Sequence, residues 1–237
     1  MKKAFAIIIS CLLVLVLCAG LLTTRRYDSN LLMLSPHSEK LVESIPFGST
    51  PWPDVPAIFT PSAQSMIISR DYRNDAYDYS FRKWVSVYMP TVPWRLLKAQ
   101  CNTESNLHPN AVSPGVGAEG LCQFMPGTWS TYESQLQIQG TPFDPKLNIM
   151  FAAYYMGQLR QFWSAPRPEW DRHSLAMASY NAGAGNLLRA QQKCGGASAY
   201  SSIIPCLRMV TGTSNYNQTY DYVIRNWVTY DDMVLGR

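Results

Sequence analysis

Glu104-Ser105-Asn106-Leu107-His108-Pro109-Asn110-Ala111-Val112-Ser113 runs almost directly into Gly115-Val116-Gly117-Ala118-Glu119-Gly120-Leu121-Cys122-Gln123-Phe124-Met125-Pro126-Gly127-Thr128. The first segment closes an apolar stretch with a carboxylate and hands over to a small polar loop. Upstream, Pro93 suits a first helical position, since its ring presets φ and its missing N–H would have no partner there. Trp94, Leu96, Leu97 and Ala99 then predict a helix reaching Glu104. In the second segment, glycines at 115, 117 and 120 let the backbone bend tightly and approach another surface, and Gln123 and Met125 emerge from that bend. An acid at a helix end is ordinarily a solvated charge. The glycine-rich bend beside Glu104 is what sets it apart.

Outward from this stretch the pattern is mainly helical. Phe81, Val85 and Tyr88 or Met89 make a spaced apolar face that Pro90 ends. Asn148 to Trp163 reads as the clearest helix, with Asn148 as its N-cap and Ile149, Ala152, Ala153, Met156 and Leu159 at spacings of three and four. Another is expected over Ser174–Tyr180, stopped by the glycines of Asn181-Ala182-Gly183-Ala184-Gly185. A last one is expected over Tyr220–Tyr230. No segment alternates strictly for several residues, so the fold class is mainly α.

The N-terminal part is of another kind. Ala4–Leu22 is a 19-residue apolar run with Lys2 and Lys3 before it and Arg25 and Arg26 after it. That length fits either a cleaved signal peptide or an uncleaved transmembrane anchor, and Lys2 and Lys3 favour a cytoplasmic N-terminus in both cases. The expected organisation is an export segment (1–25), a Pro-rich extended arm (26–71) and one domain (72–237). Pro36, Pro46, Pro51, Pro53, Pro56 and Pro61 define the arm by removing backbone donors and disfavouring helix before each of them. A net charge of +4, no larger than the four basic residues flanking the apolar run contribute, makes no case for nucleic acid, which needs a basic stripe.

Export also decides how the cysteines read. Cys11 and Cys18 fall in the apolar run, leaving Cys101, Cys122, Cys194 and Cys206 in the exported part. In an oxidising compartment four cysteines favour two disulfides with three pairings open, or remain four buried thiols; sequence proximity favours Cys101–Cys122 and Cys194–Cys206. No pair has the close spacing of a zinc site, and His37, His108 and His173 are dispersed and read as surface or helix-end residues, so no metal is expected.

Taken together, Glu104-Ser105, Ser113, Gly117 to Pro126, Ser179-Tyr180-Asn181-Ala182-Gly183 and the Asp144-Pro145 entry to the helix near Asn148 resemble the catalytic domain of the soluble lytic transglycosylases. This goose-lysozyme-like family acts on peptidoglycan, and the resemblance spans about Phe81 to Val228. It departs from the family pattern at Cys122 (usually Met), at Ser179 (usually Ala) and by one extra residue between Ser113 and Gly117. It departs again at Gln218, where the family has a Glu ahead of the pair met here by Tyr222-Val223. With Cys101 three residues before Glu104, the Cys122 departure implies a catalytic loop braced by a bridge.

The resemblance implies a lysozyme-like helical domain with a single catalytic acid, Glu104, and no cofactor. Ordinary glycosidases flank the scissile bond with two carboxylates. Here one Glu would protonate the oxygen leaving N-acetylmuramic acid, then accept the proton of that sugar's 6-hydroxyl as it closes a 1,6-anhydro ring. Ser113, Gln123 and Asn181 look like donors to the acetamido groups and glycan backbone. Met125, Tyr180 and Phe124 would wall Glu104 off from water, Tyr180 packing beside it and orienting it. Glu119, the rival carboxylate, reads as a solvated loop charge. The expected partners are peptidoglycan strands, the inner membrane if the apolar run is uncleaved, and a secretion or conjugation apparatus for which the wall is opened locally; the expected location is the periplasm. Two other readings compete: a muramidase-type hydrolase on the same fold, and a noncatalytic glycan-binding or assembly module docking through the face near Trp163 and Trp170 or through the arm.

Overall fold

A computed structural model describes residues 71–236. The expected export segment with Cys11 and Cys18, His37 and the Pro-rich arm as far as residue 70 lie outside the described residues. Within them, a turn at Asp71–Arg73 leads to seven helices: α1 (Asp78–Tyr88), α2 (Trp94–Ser105), α3 (Pro126–Leu136), α4 (Pro145–Phe162), α5 (Glu169–Ala182), α6 (Ala184–Lys193) and α7 (Thr213–Leu235). Short helical turns at Tyr200–Ile203, Ile204–Leu207 and Arg208–Thr211 join α6 to α7. There is no strand among the described residues; extended pairing is confined to isolated bridges of Glu119 with Val112 and Phe124. No helix among them is long and apolar enough to cross a membrane.

The mainly α class follows from how the apolar residues are placed. α4 and α5 are buried on nearly every side, through Ile149, Met150, Phe151, Ala152, Ala153 and Met156 in one and Leu175, Ala176, Met177 and Ala178 in the other. They form the centre on which α1, α6 and α7 pack. Small residues set the closest approaches: a Cβ at Gly157 of α4 would stand 2.8 Å from the Tyr88 carbonyl oxygen at the end of α1. α7 packs most extensively on α2. The two run antiparallel, with Glu104 meeting Tyr222 at one end and Arg95 acting on Tyr230 at the other.

Three sequence expectations are corrected. The N-cap of α4 is Asp144, whose Oδ1 accepts from the backbone N–H groups of Lys146 (2.8 Å) and Leu147 (3.3 Å), with Pro145 in the first turn. Asn148 lies inside the helix, fully buried, where its amide is needed for another task. His173 is a buried mid-helix residue of α5, not a surface one; burial, then the cation of Arg160 at 3.2 Å, hold its pKa well below 6.5. Trp163 and Trp170 are 2% and 7% exposed, with Trp163 donating to Ser179 Oγ, so they present no free docking face. Helices α3 and α6 are absent from the sequence reading; each is short and buries few residues, Trp129 and Tyr132 in α3 and Leu187 and Ala190 in α6.

Candidate active site

Glu104 is the penultimate residue of α2. The helix stops one residue later because Asn106 and Leu107 take left-handed backbone angles, φ 55° and 60°, which turn the chain back across the helix end. Ser105 fastens the returning loop: its Oγ donates to the Leu121 carbonyl (2.6 Å) and accepts from the His108 N–H (3.1 Å). A disulfide joins Cys101 to Cys122, with Cα atoms 4.4 Å apart. The loop's far side is held by Asn148, whose Oδ1 accepts the Cys122 N–H (2.8 Å) while its Nδ2 donates to the Pro142 carbonyl (2.8 Å). That contact leaves no space at Gly120, which has φ 78° and where a Cβ would sit 2.0 Å from Pro142 O and 2.3 Å from Asn148 Nδ2. The helix end, the loop and α4 thus form one hydrogen-bonded unit.

Into this unit Tyr222 of α7 donates a 2.6 Å hydrogen bond to Glu104 Oε1. Glu104 keeps partial solvent access as a residue, yet its carboxyl is enclosed densely enough that burial pushes its pKa up to about 7. The Tyr222 bond and the cation of Arg225, one turn further along α7, pull it down by less. No other carboxylate is among its leading influences. Tyr222 is itself 3% exposed, and burial together with the Glu104 charge holds its phenol well above 10, so it remains a donor.

The other sequence-derived residues fall around this centre. Tyr180 is close enough that the Glu104 charge raises its pKa further, after burial. Its hydroxyl, however, donates to the Cys122 carbonyl (2.7 Å), so the phenol that bonds the acid is that of Tyr222, not Tyr180. Phe124 is 2% exposed and packs edge-on to Tyr180 at 6.1 Å. Met125 is 46% exposed at the start of α3 and contributes surface, not interior wall. Gln123, with φ 55°, donates through Nε2 to the carbonyls of Gly120 (2.9 Å) and Ala111 (3.2 Å), bracing the bend from inside. Ser113 is half-buried in a tight turn, its N–H donating to Ala118 O (2.8 Å) and its carbonyl accepting from Gly117 N–H (3.0 Å). Asn181 Oδ1 accepts from Thr219 Oγ1 (2.9 Å), tying the end of α5 to α7. Glu119 is half-buried, its backbone paired with Phe124 in both directions. Cys194 and Cys206 are bridged at the end of α6 and take no part in the loop. No group of three or more metal-ligating side chains occurs among the described residues.

Sequence reasoning gave no role to Tyr222, Arg225 or the Asn148 amide. For Tyr222 a signal was present in the Tyr-Val pair at 222–223; for the other two, nothing local distinguishes an inward-facing polar residue from a solvated one.

A family model described as the Transglycosylase SLT domain matches residues 85–203. Among curated proteins, the membrane-bound lytic murein transglycosylase F of Yersinia enterocolitica is 32% identical over 113 residues, 48% of this chain and 22% of that protein. The membrane-bound lytic murein transglycosylase F 2 of Alkalilimnicola ehrlichii is 39% identical over 101 residues, 43% of this chain and 21% of that protein. This chain therefore spans about a fifth of the length of these relatives. Among solved structures, the 70 kDa soluble lytic transglycosylase of Escherichia coli superposes with a TM-score of 0.54 at 26% identity, covering 69% of this chain and 25% of that one. A complex of the 70 kDa soluble lytic transglycosylase with bulgecin A gives 0.52 at 25% identity, with the same coverage.

Proposed function

Because the chain belongs to the transglycosylase SLT-domain family, we propose that it is a peptidoglycan lytic transglycosylase cutting the β-1,4 bond between N-acetylmuramic acid and N-acetylglucosamine. The observation that carries this reading is one carboxyl, Glu104, whose burial puts its pKa at about 7. Such a group is protonated in an appreciable fraction of molecules near neutral pH and can serve as both acid and base there. A hydrolase of the two-carboxylate kind needs a second ionised acid to hold water, and the strongest charge acting on Glu104 is the cation of Arg225.

In the proposed reaction Glu104 gives its proton to the leaving glycosidic oxygen as the C1–O bond breaks. The resulting carboxylate takes the proton of the 6-hydroxyl, whose oxygen bonds to C1 and closes the 1,6-anhydro ring. The nucleophile belongs to the same sugar, so its effective concentration is already high and no water has to be positioned. Tyr222 steadies the carboxylate between the two proton transfers through its hydrogen bond to Oε1. Asn181 holds its oxygen end toward Thr219, leaving the nitrogen end of the amide as a donor to an acetamido carbonyl. Ser113 is proposed as a second donor. Gln123, whose nitrogen braces the loop, is proposed to offer its oxygen to sugar hydroxyl or amide groups.

The apolar run 4–22 with Lys2 and Lys3 ahead of it, and relatives named membrane-bound, support a periplasmic enzyme held at the inner membrane. The Pro-rich spacer fits local wall opening for a trans-envelope apparatus. Digestion of purified sacculi followed by mass analysis tests the chemistry: muropeptides ending in the anhydro sugar are expected, and Glu104→Gln should lower their release by about 10²–10⁴-fold. Reducing-end products would instead assign hydrolysis. Wall clearance and biological function unchanged in Glu104→Gln would remove the enzymatic reading altogether.

A further inference from the structure

The seam between α2 and α7 continues past the acid. Glu104 meets Tyr222 at one end and Arg95 acts on Tyr230 at the other, so the two helices keep one antiparallel register between them. One turn before Glu104 on α2 is Gln100, and one turn after Tyr222 on α7 is Asn226. Residues one turn apart share a helix face, so Gln100 and Asn226 stand at the same level of the seam, one turn in from the acid. Gln100 is 1% exposed and Asn226 is fully buried. Both amide atoms of Gln100 and the Oδ1 of Asn226 have no hydrogen-bond partner among the described residues. Buried amide groups without partners destabilise a fold, and an aliphatic pair would fill the same space without that cost. Packing alone does not explain them.

The nitrogen end of Asn226 does have work. Its Nδ2 lies 3.5 Å from Met177 Sδ on α5, a weak acceptor that occupies one of its two protons. The Asn226 amide also hydrogen-bonds the Tyr222 side chain and favours the phenolate there, as a donor does. The Tyr222 oxygen thus accepts from Asn226, while its single proton goes to Glu104 Oε1 at 2.6 Å. The result is a directed series from the Asn226 N–H through the Tyr222 O–H to Glu104, in which each donor polarises and strengthens the next. Its direction depends on how the amide is turned. Reversed, Asn226 would present Oδ1 to the hydroxyl and draw its proton away from the acid. The group placed to prevent this is Gln100 across the seam, whose Nε2 is a donor for Oδ1.

We propose that Asn226 is a positioning residue for the acid, committing the Tyr222 proton to Glu104, and that Gln100 holds the Asn226 amide in the orientation this needs. The proposal rests on the reading of Glu104 as the proton-transfer group. It acts through Tyr222: without the Asn226 donor the Tyr222 hydroxyl is a weaker donor, the Glu104 carboxylate is less stabilised, and the acid holds its proton to higher pH. Arg225 on α7 and Tyr180 on α5 also face this centre, and both are kept in every variant below.

The test reads Glu104 directly, in the full chain in detergent, from the carboxyl shift of carbon-13 glutamate against pH, with Glu104→Gln assigning the resonance. In Asn226→Leu the midpoint of Glu104 should rise by about half a unit, roughly a threefold change in its acid constant. The alkaline limb of kcat/KM on sacculi should rise with it. Gln100→Leu should move both the same way by less. In a Tyr222→Phe background Asn226→Leu should add nothing to the midpoint. A midpoint that stays in place in Asn226→Leu while the melting temperature falls makes the amide a packing residue and overturns the proposal. A shift just as large over Tyr222→Phe overturns it as well, because the effect would then not pass through the hydroxyl. Where Asn226→Leu fails to fold, Gln100→Leu alone and over Tyr222→Phe decides by the same comparison. The midpoint is read without substrate, so a midpoint that moves as expected in a chain releasing no anhydro product would sink the proposed reaction and leave the positioning role standing.

Discussion

The proposed reaction makes two opposed demands on Glu104, to hold a proton near neutral pH and to survive losing it. Burial meets the first by raising its pKa to about 7; the Tyr222 hydroxyl and the Arg225 cation meet the second by stabilising the carboxylate. Tyr222→Phe removes the stronger of the two counterweights, so the pKa of Glu104 should rise and the alkaline limb of kcat/KM should move up, by on the order of one unit. Activity at the optimum should fall about tenfold, since a hydrogen bond to a charged group contributes about 1.5–3 kcal/mol. A limb that stays in place or moves down would contradict this assignment. The same shift has a consequence for stability. A carboxyl whose pKa is raised on folding binds more protons in the native state, so its contribution is fully present below its unfolded pKa and is lost as pH rises toward about 7. Glu104→Gln does not titrate. Its thermal stability relative to the parent should therefore improve between pH 4.5 and 7.5, by on the order of 2 kcal/mol, as read from unfolding curves at each pH.

At the scale of elements, the site depends on how one helix starts and how one loop lies against it. Asp144 caps α4 with two backbone N–H groups, and one turn later Asn148 reaches back to hold Cys122 and Pro142. Asp144 starts the helix, as an Asp before Pro145 suggests, and Asn148, expected from sequence as the cap, holds the loop instead. Asp144→Ala should cost about 1 kcal/mol in denaturant unfolding with catalysis largely kept. Gly120→Ala is a different case, since its Cβ would run into the Pro142 carbonyl and the Asn148 amide and its φ is positive. The loop must shift to admit it, so kcat should fall by more than tenfold, a loss out of proportion to any change in melting temperature. Equal, small effects of the two substitutions on kcat would show that loop placement does not govern the acid.

For the whole molecule, the decisive seam is that of α2 and α7, because it brings together Glu104 and Tyr222 across 118 residues of sequence. The Cys101–Cys122 bridge stiffens the loop beside that seam, and closing its 21-residue separation should contribute roughly 3 kcal/mol. Replacing both cysteines by Ala should lower the unfolding free energy by that amount, as read from denaturant curves, and reduce activity, while the same double change at Cys194 and Cys206 should lower stability and spare kcat. How far the sequence could be read follows from the range of the forces involved. The helical class, the helix end at Glu104 and the bend at Gly115–Gly120 were legible from residues 81–228 alone, because periodicity, turn chemistry and motif spacing act within a few residues of one another. The Asp144 cap was partly legible, since a pre-proline Asp signals a helix start without saying what the next polar residue does. What only the tertiary structure decided was the environment of Glu104, with its pKa near 7 and its bond to Tyr222 and not Tyr180, and the burial of His173, Trp163 and Trp170. Each depends on which helices pack against which, and desolvation and cross-helix contacts are properties of the packed chain that no local stretch of sequence contains.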